Sequence, residues 1–240
     1  MRGVAKTLGE TSAGPSAEAD GPPPTHIVAR ALLRPVWRSL PRWALMTGVV
    51  LGLLPAAASR TVSGPPDPWL YLNLLRASAL AFALGLAFLL DDPARHTTAT
   101  VPVRRPVRTG LRLALVVPSM AACWTAALFL EPAKGRPPVG AITLEAAAVM
   151  VVALASALVA VRHSDAGEPG IAISAGILGA FFGAALLLPE RWELFVGPSD
   201  PHWEDAHRRW AGVLVVAALV GACSLAEPLR RRRTTVLAHR

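Results

Sequence analysis

Six apolar runs, each about as long as a bilayer core is thick, constrain this chain more than any other feature of its sequence. A hydrocarbon core of about 30 Å needs about 20 mostly apolar residues in a helix. The runs cover residues 43–59, 69–90, 113–130, 140–161, 170–188 and 210–226. The last three show almost no polar stripe, which a helix on a soluble protein would carry. Because only helices satisfy their own backbone hydrogen bonds in lipid, the sequence predicts an all-α polytopic protein with six transmembrane helices.

Charged residues are few and lie mostly between these runs. They make up 17% of the chain, and apolar residues make up 53%, whereas an ordinary soluble domain has about 25% charged residues. A net charge of +8 can indicate a nucleic-acid partner. Here the basic residues flank apolar runs, where they set topology and contact anionic lipids. We therefore expect anionic lipids as partners and no nucleic acid.

The distribution of lysine and arginine predicts the orientation. These residues are concentrated before the first run, between the second and third runs, and after the sixth. Short loops rich in lysine and arginine stay in the cytoplasm. We therefore expect a multi-pass protein of the plasma membrane with both termini cytoplasmic.

The residues before the first run divide into two parts. Residues 1–25 are rich in Gly, Pro, Ala and Ser, a composition typical of a disordered tail. In residues 26–42, arginines recur every four positions, so they share an arc of about 120° on a helix. This pattern predicts an amphipathic helix in the inner interface, although the same charges in a loop would serve as topology signals alone. The transmembrane domain then covers residues 43–229, and residues 230–240 form a basic cytoplasmic tail.

The loop between the second and third runs is the longest predicted cytoplasmic loop. Two acids begin it and arginines fill the rest. A solvated basic loop alone would explain this composition, and a docking element for a cytoplasmic partner would explain it equally. The charged residues singled out here are Asp91, Asp92, Arg95, Arg104, Arg105 and Arg108.

Residues 88–112, FLLDDPARHTTATVPVRRPVRTGLR, resemble the membrane subunits of ABC-type exporters of the type-2 permease superfamily from actinobacteria. The order of an interfacial helix, six spans and a larger outer element before the last span is similar as well. The resemblance implies that the six charged residues named above contact a separate ATP-binding subunit, which would hold ATP and Mg. It also implies a second membrane subunit, identical or homologous. The chain has no G-x-x-x-x-G-K-[ST] loop, and we expect no catalytic residue, cofactor or metal in it.

Two charged residues lie inside the apolar runs. Arg76 follows Trp69 by seven residues, about 10 Å along a helix, and Glu145 lies about 8 Å into the fourth run. Both depths are measured from the predicted outer side. An intramembrane ion pair would reduce the cost of burying either charge. Alternatively, each side chain reaches the outer interface separately.

The outer segment 190–210 mixes aromatic, acidic and histidine residues. His202, Glu204, Asp205 and His207 are possible metal ligands, but their spacing matches no strong zinc pattern. We interpret the segment as an amphipathic loop, so no histidine falls inside a predicted span.

Glycines four residues apart occur at Gly48 and Gly52 and again at Gly179 and Gly183. Such spacing lets helix backbones approach closely. We predict packing faces within the bundle, with a dimer interface as the alternative.

Three functions remain open on the sequence alone. The first is the transmembrane subunit of an ATP-driven exporter, and the second is a non-enzymatic membrane scaffold or assembly factor. The third is an enzyme acting on lipids through segment 190–210, for which the sequence offers no catalytic constellation.

Overall fold

The computed structural model describes residues 37–62, 65, 67–91, 105–133, 136–163 and 168–225. These residues form α-helices, with 3-10 turns at Ser59–Thr61 and Glu190–Trp192. The helices are α1 (Arg42–Ala58), α2 (Pro68–Ala87), α3 (Arg105–Leu130), α4 (Val139–His163), α5 (Gly170–Leu187) and α6 (Trp203–Leu225). Each is long and apolar enough to cross a membrane. The predicted all-α fold with six spanning helices is confirmed, and the chain is a multi-pass membrane protein.

Two helices begin earlier than their apolar runs. Helix α3 starts at Arg105, with Pro106 in its first turn, a position where proline's missing N–H costs nothing. The interpretation of residues 105–112 as loop is therefore wrong. Asp92, Arg95 and Arg104 lie outside the described residues.

Helix α6 starts at Trp203 because the residues before it supply a helix start. The carboxylate of Asp200 accepts from the His202 backbone N–H at 2.7 Å, and the Asp200 carbonyl accepts from that of Trp203 at 3.1 Å. Glu204 and Asp205 occupy the first turn, where carboxylates favour the helix dipole. The expectation that no histidine lies in a span is wrong, since His207 is part of α6.

Helices α2 and α4 lie at the centre of the bundle. In α2, 67% of the most apolar window is buried, against 39% in α4 and 11% in α5. Helix α1 packs along α2, and α6 packs along α4. A Cβ atom added to Gly48 would lie 2.6 Å from Gly85 Cα, so the predicted packing face on α1 is confirmed.

The glycines of α5 behave differently. Among the described residues, nothing lies within 4 Å of a Cβ added to Gly176, Gly179 or Gly183. The prediction that Gly179 and Gly183 pack within the bundle is wrong, because α5 lies at the periphery and turns this face away from its neighbours.

Contacts between helix ends show that successive helices run in opposite directions. The side chain of Arg60, after α1, donates to the last carbonyls of α3. At the other end, Asp91 after α2 accepts from the first residue of α5, and Arg162 near the end of α4 donates to the Cys223 carbonyl of α6. We call the first of these ends the predicted outer end and the second the predicted cytoplasmic end.

The terminal predictions fall mostly outside the described residues. Residues 1–25 and 230–240 lie outside them entirely, as does most of the predicted interfacial helix 26–42. Of that helix, residues 37 and 38 are helical and a turn precedes α1.

Candidate functional site

The structure brings Arg76 and Glu145 together in the half of the bundle nearest the predicted outer end. Arg76 Nε donates to Glu145 Oε2 at 2.7 Å, and Arg76 Nη2 donates to Oε1 at 2.9 Å. The side chains are 4% and 3% exposed. This two-point geometry is the strongest form of an arginine–carboxylate contact. It joins the two central helices, α2 and α4, through a charge pair closed off from solvent.

His207 of α6 is the third member of this group. Its Nε2 atom lies 3.1 Å from Glu145 Oε1, although the ring N–H direction does not align as a hydrogen bond. Its Nδ1 atom lies 2.7 Å from the Trp203 carbonyl oxygen. We call Arg76, Glu145 and His207 the buried charge cluster. It ties together α2, α4 and α6.

The segment between α5 and α6 covers this cluster. The guanidinium of Arg76 donates to the Val196 carbonyl at 3.0 Å and lies 5.4 Å from the centre of the Phe195 ring. Val196 is buried. We call residues 191–197 the strap.

Side chains of α6 hold the strap by its backbone. Arg209 donates to the carbonyl oxygens of residues 191 and 193 at 2.7 and 2.9 Å. Trp210 Nε1 donates to the Leu194 carbonyl at 3.0 Å. Hydrogen bonds to backbone carbonyls fix the path of a segment that forms no α-helix of its own. The strap is therefore an ordered cover over the cluster.

The space inside the cluster is small. A cavity of about 10 Å³ lies between Arg76, Glu145, Phe181, Phe195 and Trp210, about the least volume that can hold one water. Arg76 Nη1 is buried without a hydrogen-bond partner among the described residues. In this state the cluster has no room for a substrate.

A wider groove lies elsewhere, between α4 and α6. It has a volume of about 680 Å³ and is lined by residues that include Val152, Ser156, Val159, Gly212 and Val216. Its wall is almost wholly apolar. Such a surface suits a lipid chain or another apolar helix, and it offers no charge to recognise a headgroup.

A second buried acid lies at the predicted outer end, between α1 and α3. Glu131 is 1% exposed, and neither of its carboxylate oxygens has a hydrogen-bond partner among the described residues. The nearby Ser59 hydroxyl donates to the Ala56 carbonyl instead. Arg136 donates to the Glu131 backbone oxygen at 2.8 Å and not to the carboxylate. We call this region the Glu131 corner.

Burial raises the pKa of Glu131 to about 7, against the smaller lowering effects of Ser59 and Arg136. The loss of water around the charged form outweighs both neighbours. Glu131 is therefore an acid that changes charge near neutral pH.

At the predicted cytoplasmic end, Asp91 joins α2 to α5. Its Oδ1 accepts from the Gly170 backbone N–H at 3.0 Å, at the helix N-terminus where an acceptor is needed. Burial raises the pKa of Asp91, the Gly170 bond lowers it, and Glu168 raises it further. The observed contact of this predicted coupling residue is structural.

Arg112 anchors the other side of the predicted coupling segment. It is 4% exposed and its Nη2 donates to the Ser39 hydroxyl at 3.2 Å. Ser39 lies just before α1. Arg105 and Arg108 lie in the first turn of α3, and their side chains lie outside the described structure.

The possible metal ligands of the outer segment do not converge. Among the described residues, no group of three or more His, Cys, Asp or Glu side chains is arranged to hold a metal ion. His202 contacts Asp200 at 3.2 Å, Asp205 pairs with Arg208 at 2.6 Å, and His207 turns inward to the cluster.

Sequence reasoning missed two members of these sites. The mixed composition of residues 190–210 indicates a loop around His207, although the Asp200-Pro201 pair and the acids after it are a recognisable helix start. Glu131 directly follows the third run and carries no sequence signal that separates a buried acid from an exposed one.

No protein-family model, curated protein or solved structure matches the chain. The geometry of the chain itself is therefore what supports a functional proposal.

Proposed function

We propose that this chain is the transmembrane subunit of an ATP-driven exporter of the plasma membrane. A separate subunit would bind ATP and Mg and dock on residues 91–112, and a second membrane subunit would complete the transporter. Both termini would lie in the cytoplasm.

The observation that carries the proposal is that the described residues on either side of 92–104 are bonded to other parts of the bundle. On one side, Asp91 is bonded to Gly170 at the start of α5. On the other side, Arg112 of α3 is bonded to Ser39 before α1. A force applied to this segment would therefore reach α5 and the chain entering α1, in addition to α2 and α3. A coupling element needs such a connection, and a solvated loop does not.

The strap and the buried charge cluster suit a closed outer gate. The cluster lies under the strap, and opening would break the bonds of Arg209, Trp210 and Arg76 to strap carbonyls. The closed state would then be held by polar contacts, which can be broken without exposing a large apolar core.

The test is purification of the tagged chain from its native membranes in mild detergent. We expect an ATP-binding subunit to co-purify, and ATPase activity with it. Charge reversal at the predicted coupling segment, Arg95→Glu with Arg104→Glu, should abolish the association. The matched control is Arg191→Glu with Arg208→Glu at the other end, where the Arg208 side chain is 76% exposed, and this variant should retain the partner.

Asp91→Ala separates docking from coupling. It removes the bond to Gly170 without changing the arginines, so the ATP-binding subunit should still co-purify while substrate-stimulated ATPase activity falls. Purification of the chain without any ATP-binding protein under the same conditions would contradict the proposal.

One observation favours the alternative of a non-enzymatic scaffold or assembly factor. Among the described residues, polar side chains form no path across the bundle, and the cavity at the buried charge cluster is about 10 Å³. A scaffold would co-purify with membrane partners that lack ATPase activity, and the coupling-segment charge reversal would leave those partners bound.

A further inference from the structure

The hydrogen bond of His207 fixes the position of one of its protons. Its Nδ1 atom lies 2.7 Å from the Trp203 carbonyl oxygen. A carbonyl oxygen only accepts hydrogen bonds, so Nδ1 must carry a hydrogen. On a neutral imidazole the other nitrogen, Nε2, is then a bare acceptor.

That second nitrogen faces a carboxylate. Nε2 lies 3.1 Å from Glu145 Oε1, and the His207 and Glu145 side chains are 12% and 3% exposed. A bare nitrogen and a carboxylate oxygen at this distance repel each other, and burial leaves little water to screen them. The opposite tautomer has an equivalent repulsion at the other nitrogen, because it places a bare Nδ1 against the Trp203 carbonyl. A doubly protonated ring places positive charge beside both oxygens, so attraction replaces the repulsion even though the Nε2–H direction does not align as a hydrogen bond to Glu145.

The surroundings of the ring decide whether that extra charge is tolerated. From α4 it faces the Glu145 carboxylate, and from its own helix the Trp203 carbonyl and ring. Arg76 of α2 binds the same carboxylate and opposes a second cation. The Val196 carbonyl of the strap, which accepts from Arg76, offsets part of this opposition.

The other neighbours change this balance little. Helix α5 contributes the uncharged Phe181 to the wall of the cluster cavity. Glu204, Asp205 and Arg208, in the first turns of α6, are exposed or half-buried. Water therefore screens their charges more effectively than those inside the cluster.

We propose that Arg76, Glu145 and His207 form a proton-binding site under the strap, with the proton carried on His207 and held against Glu145. The site joins α6 to α4 most firmly when the proton is bound. Losing the proton places a bare nitrogen against the carboxylate and loosens the end of α6 that holds the strap. This inference is independent of the proposed exporter function, since a scaffold with the same cluster would bind the same proton.

The test is nitrogen NMR of the full chain, labelled at its six histidines and reconstituted in lipid nanodiscs. The spectrum is recorded at about pH 8, above the ordinary imidazole pKa of about 6.5. We expect one ring to show the imidazolium signature, with both nitrogens protonated. Neutral signals from every ring would overturn the proposal, and the wild-type protein alone decides this.

Two variants assign the signal. His207→Gln should lose the imidazolium resonance, whereas His202→Gln, an exposed histidine that also contacts a carboxylate, should retain it. Glu145→Gln keeps the shape of the side chain and provides an amide that can donate to a bare Nε2. It should return His207 to a neutral ring. An imidazolium signal that persists in His207→Gln or Glu145→Gln would contradict the assignment.

Discussion

Two buried glutamates in the same half of the bundle have opposite surroundings. Glu145 meets Arg76 in two hydrogen bonds and His207 in a close contact, whereas neither oxygen of Glu131 has a hydrogen-bond partner among the described residues. Counted as whole residues, backbone included, both are at most 2% exposed. Burial alone therefore does not determine the state of an acid here. Partners from two other helices keep Glu145 in an ion pair, and the lack of direct partners favours the neutral form of Glu131.

The two glutamates also differ in what they contribute to the contacts between helices. The buried charge cluster joins three helices through charge, so losing one member leaves another buried charge uncompensated. The Glu131 corner holds α1 to α3 through other bonds, such as those from Arg60 to the Leu130 and Phe129 carbonyls. The Glu131 carboxylate takes no part in these bonds, so the contact between α1 and α3 does not depend on it.

The largest effect is expected from Glu145→Ala. Arg76 would remain buried without its carboxylate, and breaking a buried pair in this way costs about 3–5 kcal/mol. The free energy of unfolding in mixed micelles measures it. Glu204→Ala, an exposed acid in the first turn of α6, is the control and should change stability by less than about 1 kcal/mol. Equal losses in the two variants would remove the distinction between paired and solvated acids.

Glu131→Gln should instead raise the free energy of unfolding at neutral and higher pH. The folded protein holds a proton on Glu131 up to about pH 7, whereas the unfolded chain loses it near the ordinary glutamate pKa of 4.5. Folded stability therefore falls as pH rises from about 4.5 to about 7 and stays lower above that. The variant lacks this loss and should be more stable by about 3 kcal/mol above pH 7.

The measurement is the free energy of unfolding of both proteins across this pH range. Groups other than Glu131, including Asp91, titrate in both proteins, so the difference between the two curves isolates Glu131. Parallel curves would show that Glu131 is ionised throughout and that the two acids are alike.

Gly48→Ala tests the close packing of α1, which borders the Glu131 corner, against α2, which carries Arg76. The free energy of unfolding measures the effect. A Cβ at this position would lie 2.6 Å from Gly85 Cα, so the helices must separate, at a cost of about 1–3 kcal/mol. Gly179→Ala on α5 is the matched control, because its added Cβ meets nothing within 4 Å in the described part of the chain. It should leave stability unchanged or raise it by up to about 1 kcal/mol, since alanine favours helix.

The smallest effect is expected from Arg136→Gln. Arg136 lowers the pKa of Glu131 only slightly against the effect of burial, so its loss should move the ionisation of Glu131 to a somewhat higher pH. Stability should change by less than about 1 kcal/mol. The pH dependence in the Glu131→Gln background should be unaffected, and a shift there would assign the effect to another group.

The sequence was sufficient to predict the helices, because their apolar length is a property of each run alone. It was less informative about where helices begin. Helices α3 and α6 extend into polar residues, because Pro106 and Asp200 favour a helix start there. The glycine spacing was ambiguous for a physical reason: Gly48 and Gly179 sit in similar patterns, and only the packing distinguishes them.

The candidate site shows the same limit. The depths of Arg76 and Glu145 placed them at similar levels, which made a pair possible without deciding it against separate contacts with the interface. The third partner, His207, came from a segment interpreted as a loop. Which buried acid is paired depends on contacts between helices far apart in the chain, and periodicity within one helix does not contain that information.

A double-mutant cycle of Arg76→Ala and Glu145→Ala tests most directly whether the buried charge cluster holds α2 to α4. The free energy of unfolding is measured for the wild-type chain, both single variants and the double variant in the same mixed micelles. We predict that the double variant is less destabilised than the sum of the two single variants by at least about 1.5 kcal/mol, because removing both charges leaves neither uncompensated. Additive losses, within about 0.5 kcal/mol, would contradict the account.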